Sequence, residues 1–177
     1  MRLLFEMDKR DYAACTHSFT RNSARSIIIR GKKIAMIHSR KYDYYKVPGG
    51  GIETGETPEE AMVRETAEEA GLVVIPSSVR EYGYVHRIQK SDGDETECFI
   101  QDNFYYLCET EASAAPQNLD GYEAEEAYTL EWVDPYTAIR RNRSVVESPY
   151  NPLMFEREAR VREARVLELL ISEGYFN

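Results

Sequence analysis

The chain has 177 residues, 42% of them hydrophobic, which suffices for one compact domain with a buried core, so residues 1–177 are predicted to form a single domain. Its 31 acidic residues exceed its 22 basic ones, and the formal net charge is −9. Proteins that mainly grip nucleic-acid phosphates carry a basic excess, so this charge argues against nucleic acid as a partner. A chain of this charge that handles phosphate is expected to need a metal ion.

The N-terminal segment, MRLLFEMDKRDY, is apolar only briefly, because Arg2 interrupts it and Glu6 ends it. It is too short for a signal peptide or a membrane span. The cysteines form no C-x-x-C pair and have no histidine at zinc spacing; they are Cys15, Cys98 and Cys108. These features predict a cytoplasmic protein with reduced thiols and no membrane partner.

Strands and helices alternate along the chain without an internal repeat or a long linker. Strands are predicted where Ile, Val, Tyr and Phe concentrate, at residues 24–30, 33–38, 79–87, 97–108 and 127–133. Helices are predicted at residues 57–71 and 152–173, with a shorter one at 134–140 and an exposed loop at 112–121. This order favours a mixed sheet in an α/β fold.

The helix at residues 57–71 has start and stop signals at both ends. Thr57 is a good N-cap, Pro58 suits the first helical position, and Glu60 completes a capping box. Gly71 can adopt the left-handed conformation that ends a helix. The segment therefore predicts a helix of roughly three to four turns.

Carboxylates occupy one side of this helix and small apolar side chains the other. At about 100° per residue, the apolar arc, which is predicted to pack, holds Val63, Ala67 and Ala70. The opposite side carries Glu65, Glu68 and Glu69. Three carboxylates this close repel each other, so a divalent cation explains their arrangement, and Mg²⁺ prefers such oxygen ligands. The alternative is a solvated helix face, helped by the i, i+4 pair of Arg64 and Glu68.

A glycine triplet, Gly49-Gly50-Gly51, lies a few residues ahead of this helix. Glycines let backbone carbonyls and amides approach a ligand or metal closely, although a triplet can also mark only a turn. Just before it, Tyr42, Tyr44 and Tyr45 are candidates for stacking on a nucleobase. The alternative is that these tyrosines alternate between the core and the surface of a strand.

The segment GGIETGETPEEAMVRETAEEAGL, residues 50–72, resembles the Nudix box, G-x5-E-x7-R-E-U-x-E-E-x-G-U, in which U is aliphatic. The matching positions have fixed spacing and are Gly50, Glu56, Arg64, Glu65, Glu68, Glu69, Gly71 and Leu72. Thr66 departs from the pattern, since an aliphatic residue is usual there. Its hydroxyl needs a partner if it is buried, which predicts a modest packing cost and retained activity.

This resemblance implies an α/β/α sandwich around a mixed sheet, with the box forming loop, helix and loop. It assigns metal binding to Glu65, Glu68 and Glu69, with the Gly50 carbonyl as a further ligand. The implied cofactor is Mg²⁺, with Mn²⁺ as a substitute, and a homodimer is compatible with the family.

The resemblance also assigns catalytic roles. Arg64 would orient a neighbouring glutamate, and Glu56 would support the loop or a water of the metal. Glu68, Glu69 or a glutamate outside the box would take the proton of the attacking water. Outside candidates are Glu123, Glu125 and Glu126, which precede the last predicted strand; Glu126 is predicted to contact substrate. In so acidic a chain, the alternative is ordinary surface charge.

The implied reaction is hydrolysis of a phosphoanhydride bond in a small nucleotide-type substrate, a nucleoside diphosphate linked to another group. The additional signatures of the coenzyme A, ADP-ribose and dinucleoside polyphosphate subgroups are missing from the sequence, which favours a nucleoside triphosphate or a generic nucleotide derivative. Two alternatives remain open. One is a Nudix-fold sensor that binds without cleaving, and the other is an isomerase of the same fold, which would require a suitably placed cysteine.

Overall fold

The computed structural model describes residues 1–146 and 154–177, and within them it contains twelve strands and four helices. The strands are β1 (Leu3–Asp8), β2 (His17–Thr20), β3 (Ser23–Ile27), β4 (Ile29–Arg30), β5 (Lys33–Ser39), β6 (Tyr44–Lys46), β7 (Gly49–Gly51), β8 (Leu72–Val74), β9 (Arg80–Lys90), β10 (Glu97–Leu107), β11 (Thr110–Ala114) and β12 (Thr129–Val133). The helices are α1 (Pro58–Ala70), α2 (Gly121–Glu125), α3 (Pro135–Val146) and α4 (Met154–Ser172), with a 3₁₀ turn at Pro76–Ser78.

The strands form three sheets. Six strands follow the order β1-β9-β10-β3-β7 with β2 also paired to β10, four follow β12-β5-β4 with β6 paired to β5, and β8 pairs with β11. β1 runs parallel to β9, and β2 and β3 run parallel to β10, whereas the remaining pairs are antiparallel. The prediction of a mixed sheet is confirmed.

Side chains of β5 alternate between two hydrophobic cores. Ile34 and Met36 belong to the core that contains residues of α3 and α4, whereas Ala35 and Ile37 belong to the core that contains residues of α1. Successive strand residues point to opposite faces, so a strand with apolar residues at every position is buried on both sides. Helices therefore cover both faces of the strands, as the α/β/α prediction requires.

Some predicted boundaries differ from the observed ones. The predicted strand 24–30 is divided at Ile28 into β3 and β4, which belong to different sheets. The predicted loop 112–121 contains the end of β11 and the first residue of α2. The predicted start of the last helix, at residues 152–153, lies outside the described residues, and the described part of this helix begins at Met154.

The predicted caps of α1 are all present. Thr57 Oγ1 accepts a hydrogen bond from Glu60 N, and the Glu60 carboxylate accepts one from Thr57 N. Gly71 ends the helix with a φ of 64°. Thr66 is fully buried, and its hydroxyl lies 2.6 Å from the Met62 carbonyl oxygen, to which it donates. The polar departure from the box therefore has the partner that it needs.

The prediction of which side of α1 packs was wrong in part. Ala70 is buried, but Ala67 is exposed and Val63 only half-buried. Glu65 and Glu69 lie on the buried side instead, facing β3 and β7. The physical reason is that the glycines of β7 leave room beneath the helix, which the two carboxylates fill.

Candidate active site

The glycine strand β7 fixes how closely α1 can approach the sheet. Gly50 is paired with Ala24 of β3. A Cβ atom added at Gly50 would lie 2.5 Å from Glu65 Oε1, and one added at Gly49 would lie 2.3 Å from the Ala24 carbonyl oxygen. Both contacts are far inside van der Waals distance, so only glycine fits. The group that the Gly50 backbone approaches is the Glu65 carboxylate.

Glu69 is fully buried beneath this strand. Its Oε1 lies 2.5 Å from Lys46 Nζ, and its Oε2 accepts a hydrogen bond from Gly49 N at 2.9 Å. Burial raises the pKa of Glu69 to about 7 in spite of the opposing charge of Lys46. Burial also raises the pKa of Glu65, although the hydrogen bond and the charge of Arg64 act to lower it. Added positive charge near these two carboxylates would lower their pKa values and favour the ionised forms.

A third carboxylate comes from α2, more than fifty positions along the chain. Asp120 caps α2 in a capping box with Glu123, whose backbone N–H and carboxylate both take part. This cap fixes the buried Glu123 side chain toward α1. Glu65, Glu69 and Glu123 each offer an oxygen, and these oxygens all lie within 4.8 Å of one another.

Arg64 holds the outer part of the site. Its Nε and Nη2 donate to the two Glu56 oxygens at 2.8 and 2.9 Å, and Nη2 also donates to the Gly51 carbonyl. Its Nη1 lies 2.9 Å from Glu65 Oε1 and 3.0 Å from Glu68 Oε2. The hydrogen bonds from Arg64 lower the pKa of Glu56. Arg64 thereby connects the loop before α1 to the carboxylates on its surface.

The donor set suits a divalent cation that prefers oxygen. Among the residues that the structure describes, two cations contact the carboxylates of this site, Lys46 and Arg64. The carboxylates outnumber them and are Glu56, Glu65, Glu68, Glu69 and Glu123. Carboxylates in such an excess repel one another unless further positive charge is present, and several carboxylate oxygens with room for phosphate oxygens match the preference of Mg²⁺. The residues present therefore fit the predicted metal.

Glu68 is placed differently from its two neighbours in the box. Its side chain is 37% exposed and paired with Arg64, and it lies outside the group of three close oxygens. It lines a cavity of about 560 Å³ together with Glu65 and Glu123, which we call the carboxylate cavity. The structure thus brings Glu123 into the position among the close carboxylates that the resemblance assigned to Glu68.

A second cavity, of about 670 Å³, adjoins the carboxylate cavity along β7, and we call it the main cavity. The two share lining residues, which are Arg21, Gly50, Gly51 and Tyr122. Tyr44 and Glu126 also line the main cavity, where the Tyr44 hydroxyl lies 3.3 Å from Glu126 Oε2. These two predicted substrate residues therefore line the cavity that adjoins the carboxylate cavity.

The other two predicted substrate tyrosines lie elsewhere. Tyr45 is buried in the core, stacks on His38 at 4.5 Å and donates to Glu131 at 3.0 Å. The Tyr42 ring lies 5.1 Å from the amine of Lys41, and neither Tyr42 nor Tyr45 lines the main cavity or the carboxylate cavity. Alternation along β6 turns Tyr45 away from its neighbour Tyr44.

The wall of the main cavity carries several cationic side chains. These side chains are Arg21, Arg25, Lys46 and Arg162. Arg25 and Arg162 are both buried. Both of these arginines pair with Glu163, whose Oε1 lies 3.1 Å from Arg162 Nη2 and 3.9 Å from Arg25 Nε. The wall therefore offers cationic hydrogen-bond donors, although Asp92 and Glu126 also line the cavity.

Known proteins of one family resemble this chain in sequence and in fold. A model of the NUDIX domain matches residues 20–150. An RNA pyrophosphohydrolase from Shewanella woodyi is 32% identical to this chain, and the match covers 63% of this chain and 68% of the relative. An RNA pyrophosphohydrolase from Yersinia pestis is 30% identical, and the match covers 76% of this chain and 82% of the relative. A NUDIX hydrolase structure from Nitrosomonas europaea is 17% identical, with a TM-score of 0.54 over 81% of this chain and 90% of that one. A MutT NUDIX hydrolase structure from Burkholderia pseudomallei is also 17% identical, with a TM-score of 0.50 over 81% of this chain and 97% of that one.

The chain belongs to the Nudix hydrolase family. The predicted enzyme class, a Nudix pyrophosphohydrolase, and the predicted fold are both confirmed. Among the described helices, none is both long and apolar enough to cross a membrane.

Replacing Gly50 by alanine tests whether the glycine strand positions Glu65. The added Cβ would displace the carboxylate, so we expect kcat/KM to fall about 10- to 100-fold, as is usual when the support of a metal ligand is removed. Gly93→Ala is the matched control, because nothing lies within 4 Å of its added Cβ. Steady-state kinetics would check this, and equal losses in both variants would contradict it.

Proposed function

We propose that the three carboxylates of Glu65, Glu69 and Glu123 together bind Mg²⁺. We propose further that the enzyme hydrolyses a phosphoanhydride bond of a nucleotide-type substrate. The observation that supports this proposal most directly is the convergence of three carboxylate oxygens within 4.8 Å of one another, beside a cavity whose lining includes cationic side chains. Glu68 lies at the edge of the same group and stays a candidate ligand. Mn²⁺ has the same preference for oxygen and is expected to substitute.

When bound, Mg²⁺ neutralises phosphate oxygens and makes a water molecule more acidic. The protein's own residues then have separate tasks. Lys46 and the Gly49 amide hold Glu69 in place, and Arg64 holds Glu65. Arg21, between the two cavities, is placed to contact the phosphate chain.

Glu68 is the best-placed residue to accept the proton of the attacking water. Its side chain is partly exposed and lines the carboxylate cavity, so it can reach a water there, whereas Glu69 is fully buried. The water oxygen forms a bond to phosphorus, Glu68 accepts its proton, and the bridging P–O bond breaks with its electrons on the leaving phosphate. Arg64, 3.0 Å from Glu68 Oε2, keeps that carboxylate oriented.

A nucleoside triphosphate is the first candidate substrate. The second is the 5′-triphosphate end of an RNA, which the names of the curated relatives favour. The net charge of −9 argues against a broad nucleic-acid surface, but a cavity with cationic side chains in its lining needs to receive only the end of a strand. A cytoplasmic location and a homodimer remain predictions.

A substrate panel tests the proposal directly. Purified protein is incubated with nucleoside triphosphates, nucleoside diphosphate derivatives and 5′-triphosphate RNA, with Mg²⁺ or with a chelator, and released phosphate, pyrophosphate and nucleoside monophosphate are measured. Turnover of at least one substrate that stops on chelation is the expected result. Tight binding without turnover of any substrate would instead favour the sensor function.

A further inference from the structure

A stripe of side chains leads along the main cavity away from the carboxylates. Residues 17–27 run parallel to β10 in constant register, with Phe19 opposite Phe99 and Ser23 opposite Asn103. Because alternate residues share a face, Phe19, Arg21, Ser23 and Arg25 all line the cavity. One wall of the cavity therefore offers an aromatic ring, a guanidinium, a hydroxyl and a second guanidinium in sequence.

An aromatic pair stands at the far end of this stripe. The Phe19 and Phe99 ring centroids lie 6.2 Å apart with the planes tilted by 42°. Phe19 is 48% exposed, although phenylalanine favours burial. The guanidinium of the buried Arg87 lies 5.3 Å from the Phe99 ring centroid and is hydrogen-bonded to Gln89. Phe19 thus presents an exposed aromatic ring next to the half-buried ring of Phe99.

The spacing along the stripe matches a nucleotide. Ser23 is paired with Gly51, beside the carboxylate cavity. Phe19 is four residues further along an extended chain, or about 13 Å away. An extended nucleoside polyphosphate has a comparable separation between its terminal phosphate and its base. Arg21, whose guanidinium would lie 3.5 Å from a Cβ at Gly51, falls between the two ends, where the phosphate chain would pass.

We propose that Phe19 and Phe99 form a stacking surface for the nucleobase of the substrate, and that Arg21 contacts the phosphates between this surface and the carboxylates. The inference rests on the proposed function and narrows its substrate class to compounds in which a base is joined to the phosphate chain. The base can belong to a free nucleotide or to the first nucleotides of an RNA. Stacking tolerates all bases, so little base preference is expected.

Fluorescence of a Phe19→Trp variant tests the contact without using activity. Nucleoside monophosphates are expected to quench the new tryptophan, whereas ribose 5-phosphate, which has no base, is not. The wild type, with Trp132 as its single tryptophan, supplies the background signal. Equal responses to both compounds, or no response to either, would overturn the stacking surface. Quenching by the monophosphates in a protein that hydrolyses nothing would support it while removing the proposed function.

Kinetics provide the second readout. In Phe19→Ala, the ratio of the KM for a nucleoside triphosphate to the KM for inorganic tripolyphosphate should rise about 10-fold, the size expected for one stacked base. Phe19→Tyr keeps the ring and should restore the wild-type ratio. Tyr136→Ala, which removes an aromatic side chain that is 54% exposed on α3, is the matched control. The same ratio is measured with 5′-triphosphate RNA in place of the free nucleotide. Wild-type ratios in Phe19→Ala for both substrates would overturn the proposal. A raised ratio for the RNA alone would show that the surface binds an RNA base.

Discussion

Replacing Glu123 with glutamine is expected to lower kcat/KM about 1000-fold, which corresponds to roughly 4 kcal/mol of transition-state stabilisation. Glu123 supplies one of three carboxylate oxygens that lie within 4.8 Å of each other. Glutamine keeps the size of the side chain but removes the charge that a divalent cation needs. Titration calorimetry with Mn²⁺ should show a parallel loss of affinity.

Glu125 provides the matched control on the same short helix. It is exposed and pairs with Lys41 at the surface, so Glu125→Gln should leave both kcat/KM and Mn²⁺ affinity near the wild-type values. Retained Mn²⁺ affinity in Glu123→Gln would remove Glu123 from the ligand set. A comparable loss in both variants would indicate a general effect of negative charge and not a defined ligand.

Local signals were sufficient to predict α1. Its capping box and its terminal glycine act through contacts within a few residues, and a sequence displays such contacts directly. The glycine triplet also predicted a close approach of the backbone to another group, although the segment was expected to be a loop or turn and forms β7. The sequence could not show that this group is Glu65, because that contact depends on how α1 docks on β3 and β7.

The packing side of α1 was misjudged for a physical reason. Hydrophobic periodicity assumes that charged residues point to solvent, and this assumption fails where carboxylates are buried around a cation site. Glu69 is fully buried and is paired with Lys46, which lies twenty-three positions earlier. A pair so distant in sequence leaves no periodic signal on the helix.

A local signal distinguishes Glu123 from Glu126, although both, with Glu125, were candidates outside the box. Asp120 and Glu123 have the spacing of a capping box, which predicts a helix start and fixes the direction of the Glu123 side chain. Glu126 lies beyond this helix and pairs with Ser39 and Tyr44 at the main cavity. Recognising the short helix would have separated the two glutamates, although only the fold brings Glu123 to Glu65.

Glu69→Gln is expected to reduce kcat/KM at least about 100-fold and also to destabilise the protein. The variant leaves the ammonium of Lys46 buried without a carboxylate, and breaking a buried ion pair typically costs about 3–5 kcal/mol. Glu59→Gln, in the exposed first turn of α1, is the control. Measuring Tm with and without Mg²⁺ separates the two effects, because loss of a ligand also removes the stabilisation by Mg²⁺. If Tm fell while the Mg²⁺-dependent increase persisted, Glu69 would serve to hold Lys46 and β7, and the ligands would be Glu65, Glu68 and Glu123.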